Sequence, residues 1–169
     1  MIHEIATCLW FDKNAKEAAD FYQSTFSDFE PLSENPMAVN YRLFGRRFMH
    51  LNGGPGYPIN PSISFFVNLE EEAEIRQVWE KLTENGKVLM DLNTYPWSPL
   101  YGWCVDQFGV NWQIMKSHES HAKLAPNLMF TGVNNGKANV AIDFYTSLFP
   151  NSEILHVEYF RIGEKGRIE

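Results

Sequence analysis

The sequence predicts an α+β protein, and three observations predict it. Short runs of β-forming residues alternate with helical stretches along residues 4–116. A Gly- and Pro-rich segment, GGPGYPINP at residues 53–61, separates one strand–helix–strands unit from a second. The heptapeptide DFYQSTF at residues 20–26 returns as DFYTSLF at residues 143–149, each after a short apolar strand candidate (CLWF, then NLMF). That recurrence is the mark of an internal duplication.

Residues 4–11 form the first strand candidate, carried by Ile5, Cys8, Leu9, Trp10 and Phe11. Asn14 offers an N-cap, and Glu17 three residues on completes a capping-box pattern. Ala18, Phe21, Tyr22 and Phe26 then follow at helical spacing, and Ser27 with Asp28 ends the helix. Residues 38–44 and 47–51 read as a hairpin around a two-residue turn, Gly45-Arg46. After the Gly/Pro loop, residues 63–69 (ISFFVNL) are a strand. Asn68 can cap a helix running to about residue 85, with Ile75, Val78, Trp79 and Leu82 as its apolar stripe. Gly86 stands where a C-cap glycine belongs. Strands follow at 87–90, 101–105 and 110–116.

Residues 1–117 thus hold a complete two-unit domain, and 118–126 a polar connector. Residues 127–169 restart the pattern as a partial second copy, with a strand at 127–130, a helix at 138–148 and a strand at 153–162. One helix and two strands bury too little area to stand alone, so this segment is expected to dock, with a second copy of the chain as the favoured surface. A homodimer follows as an expectation.

Of 169 residues, 44% are hydrophobic and 21% charged, an ordinary globular mixture that argues against disorder. The net charge of −7 comes without a basic cluster, which excludes nucleic acid and anionic membrane as expected partners. Cys8 and Cys104 sit in apolar strands with no secretory h-region before them, so they read as reduced thiols of a cytoplasmic protein. Aromatics reach 15%, enough to wall a ligand pocket as well as a core.

The segments CLWFDKNAKEAADFYQSTF, RRFMHLNGGPGYPINPSISFFVN and WCVDQFGVNWQIM resemble the PhnB-like branch of the vicinal oxygen chelate (glyoxalase/bleomycin-resistance) superfamily, a branch often labelled 3-demethylubiquinone-9 3-methyltransferase. The resemblance implies paired βαβββ modules whose mostly antiparallel sheets, with flanking helices, curl into a cup around a small ligand. In metal-dependent relatives four cup residues hold the ion. Carried onto this sequence, those positions are Thr7, His50 (or its neighbour Met49), Ser62 and Gln113. One imidazole, one amide and two hydroxyls make a weak donor set for a divalent metal, so no metal and no cofactor are expected. The other histidines, at 3, 118, 121 and 156, fall in no ligand motif.

Other chemistry finds little support. Gly53, Gly54 and Gly56 are interrupted by Pro55 and lead into a strand, so they are not the strand–turn–helix of a methyl-donor site. There is no GxSxG. Cys104 has Asp106 two residues on, at what reads as a surface edge, and no cation to activate it. Residues 70–74 are a charged helix start, suited to the helix dipole. Trp10, Tyr41, Phe48, Phe65, Trp97, Trp103 and Trp112 divide between core and pocket wall. The expected pocket joins Trp10, His50 and Trp112, with Gln113 as polar anchor and Trp97 as a loop aromatic at its entrance. A metal-free small-molecule binder is the favoured function. A metal-dependent lyase, isomerase or dioxygenase of the superfamily, and the labelled methyltransferase, are the alternatives, and the sequence leaves catalysis open.

Overall fold

A computed structural model describes residues 4–117, 122–157 and 159. It divides the chain into two compact units, Met1–Met129 and Phe130–Glu169.

The first unit is built from two βαβββ modules of the same design. In the first, β1 (Thr7–Phe11), α1 (Ala15–Thr25), β2 (Phe29–Glu34), β3 (Ala38–Leu43) and β4 (Arg46–Asn52) form a sheet in the order β1-β4-β3-β2. In the second, β5 (Ile63–Leu69), α2 (Glu72–Thr83), β6 (Lys87–Tyr95), β7 (Ser98–Val105) and β8 (Asn111–Lys116) follow suit. In both modules the first strand lies parallel to the last, β1 on β4 and β5 on β8, while the remaining pairs are antiparallel. A ninth strand, β9 (Leu124–Leu128), closes the free side of β5, giving the order β6-β7-β8-β5-β9.

The two modules share one core. Leu9, Phe11, Tyr41, Leu43, Phe48 and His50 face the Ala15, Ala18, Ala19, Tyr22 and Phe26 side of α1, and all are buried. Phe65, Val67, Cys104, Trp112 and Ile114 face inward from the second sheet, with Ile75, Val78 and Leu82 of α2. Tyr22 joins the two, its ring 5.5 Å from His50 and 5.2 Å from Trp112. Such aromatic pairs contribute about 1 kcal/mol each beyond buried area.

Several local expectations are corrected. The capping box at Asn14 does not form: Asn14 makes no side-chain cap bond, and Asn52 Oδ1 accepts the Ala15 N–H at 2.9 Å instead. A distant strand end therefore does what the local pattern promised. The hairpin turn is Phe44-Gly45, one residue earlier than expected, with φ of 49° and 72°. Positive φ at both positions is the twist-matched type I′ arrangement. The Phe44 ring packs edge-on to Phe26 at 5.8 Å, which offsets the strain of a left-handed phenylalanine. The second helix is capped at Glu71, not Asn68. At its end Asn85 takes the left-handed conformation, φ 57°. Gly86 is demanded by space, since a Cβ there would stand 2.5 Å from the Val105 carbonyl oxygen. Strand β2 was not foreseen, and β6 runs on to Tyr95 rather than ending at Met90.

The strand expected at 127–130 is instead β9, Leu124–Leu128, and it belongs to the first unit's sheet. Leu124 is buried there, so the end of the supposed connector is structural. The second unit holds a 3-10 turn at Gly132–Asn134 and α3, Ala138–Leu148, on the residues expected. The strand expected at 153–162 is absent from residues 153–157 and 159, and its other positions lie outside the described residues. No helix among the described residues is long and apolar enough to cross a membrane.

Candidate functional site

Strand alternation sorts the expected pocket residues onto different faces, because successive side chains point to opposite sides. Thr7 shares the parity of Leu9 and Phe11 and so belongs to the α1 face of its sheet. His50 is on that face too and is fully buried. Its Nδ1–H donates to the Ala15 carbonyl at 3.0 Å, and its Nε2 accepts from Tyr41 Oη at 2.7 Å. Both ring nitrogens are thus engaged, and burial lowers the imidazole pKa to about 4. Met49, the alternative, has the opposite parity.

Trp112 is core, with Nε1 donating to Asp106 Oδ2 at 2.8 Å. Asp106 is itself buried, contrary to its expected surface position. Its Oδ2 also accepts from Tyr22 Oη at 2.6 Å, and its Oδ1 accepts the Phe108 and Val110 N–H groups at 2.8 and 3.0 Å. This carboxylate ties α1 to the β7–β8 turn. Burial pushes the Cys104 thiol up to about 12, so it is no nucleophile at neutral pH.

Trp10 lies on the other side of the first sheet. Its Nε1 donates to the Gly54 carbonyl at 2.7 Å, and Tyr57 stands edge-on at 5.2 Å. A Cβ on Gly53 would lie 2.2 Å from the Trp10 ring, so that glycine makes room for the indole. A cleft of about 320 Å³ opens here beside Asp12, Asn14, Ile59 and Phe108. Ser62 is exposed ahead of β5, with its N–H donating to Asn60 Oδ1 and its carbonyl accepting from Met129. Trp97 is 59% exposed at the β6–β7 turn, stacked on Tyr95 at 5.1 Å and edge-on to Tyr101 at 6.0 Å. The structure therefore does not join Trp10, His50 and Trp112 in one cavity: His50 and Trp112 are packed around Tyr22, and Trp10 is spent on the Gly/Pro loop.

The face of the second sheet turned away from α2 is different. Gly102 marks the α2 side, since a Cβ there would meet Trp79 at 2.6 Å. Tyr101 and Trp103, of opposite parity, point away from it. Gln113 and Asn111 of β8 and Ser64, Phe66 and Asn68 of β5 share that face, by the register Trp103↔Gln113 and Phe66↔Gln113. Tyr101 Oη donates to Gln113 Oε1 at 2.5 Å, Gln113 Nε2 donates to Ser64 Oγ at 2.7 Å, and Asn127 Nδ2 approaches Ser64 Oγ at 3.4 Å. Burial raises the Tyr101 pKa, so the phenol stays a proton donor.

Three buried side-chain atoms among the described residues have no hydrogen-bond partner: Asn68 Oδ1, Trp103 Nε1 and Asn111 Oδ1. All three residues belong to this one face. Leaving such an atom unpaired costs about 1–3 kcal/mol, so three together call for a cause. Of the expected residues, Trp103 and Gln113 are brought together here. Tyr101, Ser64, Asn68, Asn111 and Asn127 were missed. The available signal was polar residues two apart within otherwise apolar strands, the positions flanking Gln113 and matching it on β5.

The group that metal-dependent relatives hold does not fit these residues. Thr7 and His50 face α1, Ser62 is outside the sheet, and Gln113 looks away from the other sheet face. No group of three or more His, Cys, Asp or Glu able to hold a metal occurs among the described residues, and His118 and His121 lie outside them. A methyl-donor cofactor fits no better, because the Gly53 gap is filled by an indole and its loop enters β5 rather than a helix.

The 3-demethylubiquinone-9 3-methyltransferase family profile matches residues 3–115. Among solved structures, the PhnB protein of Bacillus cereus is 32% identical over 68% of this chain and 100% of its own, with a TM-score of 0.63. Protein PA1353 of Pseudomonas aeruginosa is 24% identical over 69% of this chain and 98% of its own, with a TM-score of 0.59. A glyoxalase-related enzyme from Fulvimarina pelagi is 18% identical over 78% of this chain and 100% of its own, at 0.54, a likeness of fold alone. No curated protein matches the chain.

Proposed function

The chain belongs to the 3-demethylubiquinone-9 3-methyltransferase (PhnB-like) family of the glyoxalase/bleomycin-resistance superfamily, and on that premise we propose that it binds a small organic molecule without a metal. The observation that carries this reading is the clustering on one sheet face of the three buried side-chain polar atoms that lack a partner among the described residues. A folded protein tolerates such atoms where a bound group completes them. The rest of the face suits a ligand wall: Phe66, Tyr101 and Trp103 supply flat apolar surface, and Gln113 is held rigid by Tyr101 and Ser64. Trp97 and Tyr95 flank Tyr101 at the hairpin tip and form the rim.

Two open clefts support a site less well. The larger, about 420 Å³ between α1 and β2–β3, is lined in part by Lys16, Asp20 and Glu34, and Lys16 already pairs with both carboxylates. The smaller is lined by a tryptophan whose donor is already used.

Native mass spectrometry with elemental analysis of the purified protein tests the reading. An organic adduct without stoichiometric metal, lost in Gln113→Leu, is the expected result. Stoichiometric Zn, Ni, Mn or Fe, retained by the wild type and lost in a folded His50→Gln variant, would establish the metal-dependent alternative. The protein is further proposed to be a homodimer, supported by the exposed Val140, Phe144, Leu148 and Phe149 of α3, and to be cytoplasmic, supported by the free thiols of Cys8 and Cys104. Sedimentation of the full chain beside Phe144→Asp/Leu148→Asp checks the dimer. Identical species in both would remove α3 from any interface.

A further inference from the structure

Resting on that site, we infer that its ligand is an uncharged molecule carrying an amide-like group, one that accepts and donates hydrogen bonds at adjacent atoms. The unpaired atoms are of complementary kinds. Trp103 Nε1 can only donate; Asn68 Oδ1 and Asn111 Oδ1 can only accept. The orientation of both asparagine amides is fixed by their nitrogens, since Asn68 Nδ2 donates to the Ala122 carbonyl at 3.0 Å and Asn111 Nδ2 to the Gly109 carbonyl at 3.3 Å. The oxygens are therefore the ends left over.

Register sets which of them act together. Val105 pairs with Asn111, and Trp103 pairs with Gln113, so Trp103 and Asn111 are diagonal neighbours on adjacent strands. Diagonal positions on one face stand roughly 7–8 Å apart, within reach of the two ends of one small planar group. Gln113 lies between them but offers little, because its oxygen takes the Tyr101 hydroxyl and its nitrogen donates to Ser64. An amide, lactam or urea matches the free pair: its carbonyl accepts from Trp103 and its N–H donates to Asn111. Asn68, farther along β5, is left for a second donor on a longer molecule.

The same face argues against a charged ligand. The facing positions of β5, β7 and β8 are Ser64, Phe66, Asn68, Tyr101, Trp103, Val105, Asn111, Gln113 and Met115, none of them a charged residue type; Lys87 opposite Val105 and Lys123 beside Asn68 share the face only at its outer strands, where both are exposed. A carboxylate would find one N–H donor opposed by two carbonyl oxygens, and an ammonium would find no anion. Burying either without a counter-charge is strongly unfavourable.

Three probes of similar size separate the possibilities: benzamide, benzoate and benzylamine, titrated at neutral pH into the 15N-labelled full chain. The readouts are the Trp103 indole N–H signal, assigned through Trp103→Phe, and the Asn111 side-chain amide signals. Benzamide is expected to shift both saturably, and the two ions to bind at least about tenfold more weakly. Trp103→Phe and, independently, Asn111→Ala should each weaken benzamide about fivefold or more while the remaining spectrum is preserved. Benzoate or benzylamine matching benzamide at these signals overturns the uncharged-ligand inference but leaves the site in place. Failure of all three probes to move the Trp103, Asn111 and Gln113 signals at about 10 mM overturns the site and the inference together.

Discussion

The same heptapeptide lives two different lives in this molecule. In α1, DFYQSTF puts Tyr22 at 0% exposure and Phe26 at 3%. In α3, DFYTSLF leaves Tyr145 at 45% and Phe149 at 39%. Both helices begin and end at equivalent places relative to the repeat and have the same length, 11 residues. What differs is the surface each meets. The first finds a sheet carrying Tyr41, Phe48 and His50, with Asp106 and Trp112 from the second module closing over Tyr22. Local sequence thus makes the helix, and burial is granted by partners brought in from elsewhere in the chain.

The contrast can be broken most directly by truncating the matched tyrosines. Tyr22→Ala is expected to cost about 4 kcal/mol, from the lost ring and an under-solvated Asp106. Tyr145→Ala should cost less than about 1 kcal/mol. Urea unfolding followed by tryptophan fluorescence measures both, and comparable losses would show that α3 is buried in solution.

Acid provides the next largest effect, and its main target lies against α1. Burial holds His50 near pKa 4, against 6.5 when unfolded. Between those values the unfolded chain binds more protons than the folded one, so stability is full above about pH 6.5. It falls as pH drops towards 4 and levels below that, by about 3 kcal/mol in total. Urea midpoints across this range should fall with pH in the wild type, and a folded His50→Gln variant should lose that fall, leaving the opposite contribution of Asp106, whose carboxyl burial holds above its ordinary pKa.

A finer cut removes single atoms. Tyr22→Phe takes one donor from buried Asp106 and should cost about 1–3 kcal/mol, whereas Tyr145→Phe should cost nothing measurable. Last, Trp103→Phe deletes an N–H with no partner among the described residues together with part of a buried ring, so ligand-free protein should lose only the packing of that ring, about 1–2 kcal/mol by urea unfolding.

The element grammar was readable wherever apolar spacing was strong. Strand β5, α3 and the stripe of α2 fell where Ile63–Leu69, Ala138–Leu148 and Ile75, Val78 and Leu82 suggested. Strand β2 was hidden because FEPLSE contains Pro31 and two glutamates. It survives as the edge of its sheet, with a register shift beside that proline. The cap from Asn52 was invisible because no local pattern announces a donor–acceptor pair formed across 37 positions. Within the site, Gln113 stood out as a polar residue in an apolar strand. Grouping it with His50 and Trp112 failed on parity, since a shift of one residue sends a side chain to the opposite face. Which face holds the ligand depends on where the helices pack, and that is tertiary information.

Strand β5 sits between β8 and β9, so its Phe65 has Trp112 on one side and Pro126 on the other. As the chain leaves the ribosome, ISFFVNL emerges long before either neighbour exists. During that interval it is a sticky β-forming segment with two bare edges, the kind of intermediate on which self-association starts. Its pairing must await contacts distant in sequence, which slows folding relative to the local hairpins β3–β4 and β6–β7. The yield of native protein in a cell should accordingly hang on how that window is shielded, through the pace of synthesis and the supply of chaperones, more than on the final stability of the sheet.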